Sequence, residues 1–199
     1  MKKKFYICTA IAYVNAPPHI GHALEFIQAD AMARYHRMIG DDTYFLTGTD
    51  EHGVKIYQAA EKAGMPVQDF VDKNARTFID LKDVLWLSYD DFIRTSSARH
   101  KEGAKKIWEK MWAAGDIYKG KYEGLYCVGC EAFIPEKDLD AEGNCPIHKK
   151  KPEKLVEENY FFKLSKYSGE IRKMIESGKL VVVPESRKNE MLNIIGEEG

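Results

Sequence analysis

The stretch AYVNAPPHIGHALEFIQAD, residues 12–30, decides how the first half of this 199-residue chain folds. Pro17 and Pro18 make the approach stiff and extended, and a helical pattern follows at once. Short apolar runs rich in strand formers lie on either side, at residues 5–9 and 43–47. Because the order is strand, helix, strand, we predict a right-handed crossover between two parallel strands.

The helix of this crossover is predicted from apolar residues that recur at helical spacing. Gly40 follows this pattern and is predicted to be the C′ residue that ends the helix. The recurring apolar residues are Leu24, Ile27, Ala31, Tyr35 and Met38.

The rest of the first half continues the alternation of helices and strands. Helical patterns cover residues 54–63, 67–87 and 98–114, and a further strand pattern covers residues 91–95. This alternation predicts an α/β protein with a Rossmann-like, doubly wound parallel sheet. We interpret the N-terminal run as its first buried strand, with Cys8 as a small buried apolar residue, and not as a signal peptide.

The residue composition of the sequence changes at Gly115, where a smaller module begins. Residues 116–152 are rich in Gly, Lys, Tyr and Cys and contain short, turn-bounded pieces. An aromatic strand (NYFFKL, 159–164), a helix near 168–177, a β-branched run (LVVVP, 180–184) and a last helical pattern from 186 follow. We therefore predict a nucleotide-binding half-fold over residues 1–115 and a small inserted β-rich connective domain over residues 116–199.

His19 and His22 lie where the first helix begins. A helix start offers unpaired backbone N–H groups and the positive end of the helix dipole, and phosphates bind there readily. Gly21 allows a base or ribose to approach the backbone, and both imidazoles can donate to phosphate oxygens. His19, Gly21 and His22 are therefore candidate nucleotide-binding residues, although two surface histidines at an ordinary helix cap are the alternative.

A second candidate segment, FLTGTDEHG at residues 45–53, follows the second strand. Carboxyl ends of parallel strands meet at one edge of a sheet, so Asp50 is expected to face the same crevice as the two histidines. A carboxylate there could hold an ammonium group. The alternative is an acidic, solvated turn carrying Asp50, Glu51 and His52.

The remaining cysteines form two paired turns, Cys127-Val-Gly-Cys130 and Cys145-Pro-Ile-His148. Three thiolates and one imidazole match closed, tetrahedral, structural zinc. The alternative is a pair of reduced turns without metal. Four lysines follow directly: Lys149, Lys150, Lys151 and Lys154. We interpret them either as an RNA contact or as a solvated surface.

Taken together, these motifs resemble class I aminoacyl-tRNA synthetases, and within that family the methionine-specific members. The resemblance runs from residue 4 to about 196 and rests on HIGH (19–22), TGTDEHG (47–53), YDDFIRT (89–95), GLYCVGCE (124–131), ENYFF (158–162) and RKNEML (187–192). It implies that methionine and ATP, with Mg²⁺, form methionyl-adenylate, and that methionine then passes to tRNA(Met).

The resemblance also implies roles for single residues. His19 and His22 would be catalytic and, with Gly21, bind ATP; Asp50 would hold the substrate ammonium group. Ile11 and Tyr13 would line the methionine pocket, where Ala10 and Ala12 replace the Pro and Tyr common in the family. The same resemblance supports a structural Zn²⁺ at Cys127, Cys130, Cys145 and His148.

The family's second signature, KMSKS, does not occur in this sequence. We therefore expect a piece of the enzyme that lacks this loop and the anticodon-binding domain, and that is weak or inactive in aminoacylation alone. The alternatives are a zinc-dependent tRNA-binding module without catalysis, or another nucleotidyltransferase with an HxGH motif. The near-neutral net charge of −1 and the absence of a long apolar run favour a cytoplasmic protein with no DNA or membrane partner.

Overall fold

The computed structural model describes residues 2–130 and 132–197, which divide into two compact units within one helix, after Lys106. The boundary at residues 115 and 116 inferred from the sequence stays a prediction.

The first unit contains a parallel sheet and the helices that connect its strands. The strands are β1 (Lys4–Cys8), β2 (Ala12–Tyr13), β3 (Asp42–Asp50) and β4 (Asp91–Arg94). The helices are α1 (Ile20–Met38), α2 (Val54–Lys62), α3 (Val67–Val84) and α4 (Ala98–Ala113), the last of which continues into the second unit.

Strand β3 is the centre of this sheet. Leu46 pairs with Cys8 of β1 and with Asp91 of β4, so these two strands flank β3, and β2 pairs with its last two residues. All pairings are parallel. The predicted α/β class and the strand–helix–strand crossover are confirmed, and Gly40 ends the helical segment with φ 90°.

The buried face of helix α1 is not the one that carries most of its larger apolar residues. Phe26, Ala29 and Ala33 are buried, whereas Leu24, Ile27, Tyr35 and Met38 are 47–83% exposed. The two alanines bring the helix axis close to the sheet, and hydropathy alone favours the larger residues of the other face.

The first strand is also less buried than expected. Burial along β1 alternates between exposed and half-buried residues, and Cys8 is exposed. Among the described residues, β1 pairs with β3 alone, so its other edge has no strand partner. The core lies instead between the sheet, α1 and α3, around Phe26, Phe45 and Phe78, each at most 1% exposed.

The second unit contains an antiparallel three-stranded sheet and two further helices. Strand β5 (Ile117–Cys127) lies between β6 (Ala132–Ile134) and β7 (Glu153–Phe162). Helices α5 (Ser165–Glu176) and α6 (Glu185–Glu197) follow. The aromatic strand and both helices agree with the sequence, but the β-branched run at 180–184 forms no strand, because no neighbouring strand pairs with it.

Candidate active site and metal centre

His19 and His22 form a reciprocal cap at the start of α1. His19 is the N-cap residue, and its Nδ1 accepts the N–H of Gly21 at 3.1 Å. The Nδ1 of His22 accepts the N–H of His19 at 3.2 Å. Because both Nδ1 atoms accept, the proton of each neutral ring is on Nε2, so each neutral histidine has one ring N–H donor besides its capping contact.

The two imidazoles stack on each other, with ring centroids 3.9 Å apart and an angle of 21° between the planes. The edge of His22 also meets Phe78 of α3 at 5.1 Å between centroids. Burial, followed by the neighbouring His19, lowers the pKa of His22. The neutral form of His22 is therefore the dominant one at pH 7.

Gly21 has a structural role that the sequence did not reveal. A Cβ at this position would lie 3.0 Å from Cε1 of His19, so the missing side chain makes room for the stacked imidazole. Close approach of a base or ribose to Gly21 stays a prediction.

Asp50 is the last residue of β3 and is half-buried. It pairs with Tyr13 of β2, and its carbonyl oxygen accepts the N–H of Val14 at 3.4 Å. Within residues 2–130 and 132–197, no hydrogen bond or ion pair engages its carboxylate. The segment 48–50 is thus strand and not turn, and Glu51 is 4% exposed, which overturns the alternative of a solvated acidic turn for these residues.

The segment that carries Ile11 and Tyr13 is held at both ends by side chains from distant helices. Glu25 of α1 accepts the N–H of Ala10 at 2.7 Å, and the amide of Asn74 in α3 donates to the carbonyl of Val14 at 2.7 Å. Neither contact could be inferred from sequence spacing, since the partners are 15 and 60 residues apart.

Between these anchors, Ile11 is 38% exposed and Tyr13 is half-buried, with Nζ of Lys55 6.0 Å from the Tyr13 ring centroid. An exposed Ile11 is not an ordinary core residue. Its role in a methionine pocket stays a prediction, as does the effect of Ala10 and Ala12 on that pocket.

In the second unit, Cys127, Cys130, Cys145 and His148 bring their ligand atoms within 4.8 Å of one another. The Sγ atoms of Cys130 and Cys145 are 3.5 Å apart, and Nδ1 of His148 lies 3.2–3.8 Å from the three sulfurs. Zinc bond lengths of about 2.3 Å to sulfur and about 2.0 Å to nitrogen give tetrahedron edges of ~3.8 and ~3.6 Å. The donor set and its spacing therefore fit zinc.

The thiols of this cluster differ in acidity. Hydrogen bonding from the backbone N–H of His148 lowers the pKa of Cys145 to about 6. Desolvation, followed by the neighbouring thiols, raises the pKa of Cys130 to about 11. Cys145 thus supplies a thiolate at neutral pH, and a bound metal would displace the remaining thiol protons.

Two of the four lysines near the cluster already have carboxylate partners. Lys154 pairs with Glu123 at 2.6 Å, and Lys149 lies 3.6 Å from Asp140. Lys150 and Lys151 are exposed. Among the described residues, no helix is long and apolar enough to cross a bilayer.

Comparisons with known proteins agree on one family. Residues 5–151 match the family model described as tRNA synthetases class I (M). Methionine--tRNA ligase of Fusobacterium nucleatum is 46% identical over 195 residues, which are 98% of this chain and 31% of that relative. The enzyme of the same name from Clostridium tetani is 48% identical over 192 residues, 96% of this chain and 30% of the relative.

Among solved structures, Mycobacterium tuberculosis methionyl-tRNA synthetase in complex with methionyl-adenylate superimposes with a TM-score of 0.91 at 40% identity. The match covers 98% of this chain and 39% of that one. The chain thus spans about a third of the length of the relatives that it matches. On the family match and these similarities, the chain belongs to the class I (M) family of tRNA synthetases.

Proposed function

We propose that this chain supplies the face on which methionine reacts with ATP to give methionyl-adenylate, as part of an enzyme that charges tRNA(Met). The observation that carries the proposal is the pair of stacked histidines at the start of α1, with an unpartnered carboxylate on the last residue of β3. The methionyl-adenylate bound to the M. tuberculosis relative supports the same ligand class.

In the activation step, an oxygen of the methionine carboxylate attacks the α-phosphorus of ATP. The bond from this phosphorus to the bridging oxygen breaks, and pyrophosphate leaves with the electron pair. No proton moves, because the attacking carboxylate is already ionised at neutral pH. What the protein supplies is alignment and stabilisation of the charge that develops at phosphorus.

His19 and His22 suit that role because each has an Nε2–H donor at the positive end of a helix. Their Nδ1 atoms are engaged by backbone N–H groups, so the rings are fixed before any ligand binds. A preorganised donor of this kind contributes ~3 kcal/mol to stabilisation of the transition state.

Asp50 would pair with the α-ammonium of methionine, and Ile11 and Tyr13 would contact its thioether chain. Asp50 lies beside Tyr13 in the sheet, so the charged and the apolar contact are neighbours. When zinc is bound, Cys127, Cys130, Cys145 and His148 would hold it and it would stabilise the second unit, which has little apolar mass around these ligands. Four exposed lysines near the cluster, Lys149, Lys150, Lys151 and Lys154, would contact tRNA phosphates.

The test is methionine-dependent exchange of pyrophosphate into ATP by a polypeptide of the relatives' length that contains this sequence. Asp50→Asn should raise the KM for methionine and leave that for ATP unchanged. His22→Asn keeps an acceptor for the His19 N–H but loses the Nε2–H donor, so kcat should fall on the order of 10²-fold or more.

Gly169→Ala, at an α5 position with no atom within 4 Å of the added Cβ, is the matched control and should behave as the unsubstituted protein. Exchange that responds equally to leucine, or that is unchanged in both substituted proteins, would overturn the proposed function.

A further inference from the structure

Arg94, the last residue of β4, joins two carboxylates from different parts of the first unit. Its Nε donates to Oε1 of Glu51 at 2.6 Å, and its Nη2 donates to Oδ1 of Asp72 in α3 at 2.5 Å. The side chain of Glu51 is 0% exposed, whereas that of Asp72 is 50% exposed. Arg94 thus compensates a fully buried negative charge and links it to a helix.

The rest of the Glu51 side chain is also fixed by hydrogen bonds. Oε1 accepts from Oγ1 of Thr49 at 2.7 Å, and Oε2 accepts from Oγ of Ser96. The backbone N–H of Glu51 donates to Oγ1 of Thr95 at 2.8 Å. Burial opposes ionisation, but the hydrogen bonds from Arg94, Ser96 and Thr49 lower the pKa of Glu51, so the group is charged.

This network holds both neighbours of Asp50 and leaves Asp50 itself unengaged. Side chains alternate along a strand, so Thr49 and Glu51 point to one face and Asp50 points to the other. Of the carboxylates of Asp50 and Glu51, only that of Asp50 is then available to a ligand, because Arg94 neutralises Glu51.

Helix α3 connects the network to the other candidate substrate segments. Asp72 engages Arg94, Asn74 holds the carbonyl of Val14, and Phe78 contacts the ring of His22. The buried member of the network, Glu51, is nevertheless the sequence neighbour of Asp50. Arg94 contacts none of the residues assigned to ATP.

We propose that Arg94 is a positioning residue for the ammonium-binding carboxylate of Asp50. By neutralising and anchoring Glu51, it fixes the end of β3. Of the two adjacent carboxylates, Asp50 is then the one without a hydrogen-bonding or ionic partner among the described residues. The inference rests on the proposed function, in which Asp50 holds the α-ammonium of methionine. Without Arg94, the buried carboxylate of Glu51 must protonate or move, and the strand end moves with it.

The test is a double-mutant cycle of Arg94→Met, Glu51→Gln and the double variant in the pyrophosphate exchange assay, with KM measured separately for methionine and for ATP. Arg94→Met should raise the KM for methionine by at least about tenfold, because it leaves a buried charge without its partner. The KM for ATP should change by less than about twofold, since no ATP-binding group contacts Arg94. Arg94→Lys retains the charge but cannot donate to both carboxylates in the same geometry. Its KM for methionine should lie between those of the unsubstituted protein and Arg94→Met.

The double variant Arg94→Met/Glu51→Gln is the decisive arm. Removing the charge of Glu51 removes the need for its counter-charge, so the double variant should recover most of the methionine affinity lost in Arg94→Met. Asp72→Asn is the matched control, because it removes only the half-exposed ion pair between Asp72 and Arg94. It should change the KM for methionine by less than about threefold.

Three results would overturn the inference. They are equal increases in both KM values, additive losses in the double variant, and an effect of Asp72→Asn as large as that of Arg94→Met. If Arg94→Met does not fold, the double variant and Arg94→Lys still decide between rescue and additive loss. Failure of the proposed function is distinguishable, because then the unsubstituted protein itself shows no methionine-dependent exchange.

Discussion

Gly129 lies under the ring of the only nitrogen ligand in the Cys3His cluster, and replacing it by alanine should weaken zinc binding. A Cβ at this position would lie 2.5 Å from Cδ2 and Cγ of His148 and 2.8 Å from its Nδ1. Ordinary contact begins at 3.4 Å, so the ring must move by about 0.9 Å (3.4 − 2.5). Ligand distances in zinc sites tolerate only about ±0.2 Å.

We therefore expect Gly129→Ala to lower zinc affinity by about 10–100-fold, the range seen when the orientation of a ligand is lost. That loss corresponds to about 1.4–2.8 kcal/mol of binding free energy. Zinc affinity can be measured by competition with a chromophoric chelator at pH 7. Gly169→Ala, which adds a methyl group where no atom lies within 4 Å, is the control and should leave zinc affinity unchanged.

Equal zinc affinity in Gly129→Ala and the unsubstituted chain would refute the placement of His148 over Gly129 as a ligand. His148→Ala provides the limit of the effect. If its affinity is also unchanged, the fourth ligand is not His148, and the metal centre must be reassigned.

Three further predictions concern the first unit. Gly48→Ala would place a Cβ 2.1 Å from the carbonyl oxygen of Ile93 on the paired strand, and should lower the free energy of unfolding by about 3 kcal/mol in urea titration. Asn74→Ala leaves the buried carbonyl of Val14 without its donor and should cost about 1–3 kcal/mol in the same measurement; a change under 0.5 kcal/mol, roughly the scatter of surface substitutions, would contradict this. Because its hydrogen bonds lower the pKa of Glu51 below its ordinary 4.5, the resulting stabilisation is present above pH 4.5 and is lost as pH falls through the folded-state pKa. Glu51→Gln should therefore flatten the decline of stability in acid, and an unchanged slope would count against the ionised network.

The sequence predicted those features that depend on local order along the chain. The strand–helix–strand order around residues 12–30, the end of the helical segment at Gly40 and the four clustered ligands at 127–148 all follow from spacing and from residue chemistry over short distances. The structure agrees with each of them.

The sequence failed where long-range packing decides the outcome. Hydropathy does not identify the buried face of α1, where Ala29 and Ala33 are buried and larger apolar residues of the helix are exposed. From the sequence, Glu51 could equally be interpreted as an acidic side chain in solvent. It is buried, because Arg94, 43 residues later in the chain, neutralises it. The anchors of the 10–14 segment were missed for the same reason, since nothing local marks Glu25 or Asn74.

The most direct test of substrate activation is an NMR titration of this chain with a non-hydrolysable analogue of methionyl-adenylate, with the leucyl analogue as control. We predict saturable shifts of the imidazole signals of His19 and His22 together with the backbone amide of Asp50, at a much lower concentration of the methionyl analogue than of the leucyl analogue, because only the amino-acid side chain differs between the two compounds. Binding that leaves these three residues unperturbed, or shifts at the same concentrations of both analogues, would contradict this prediction.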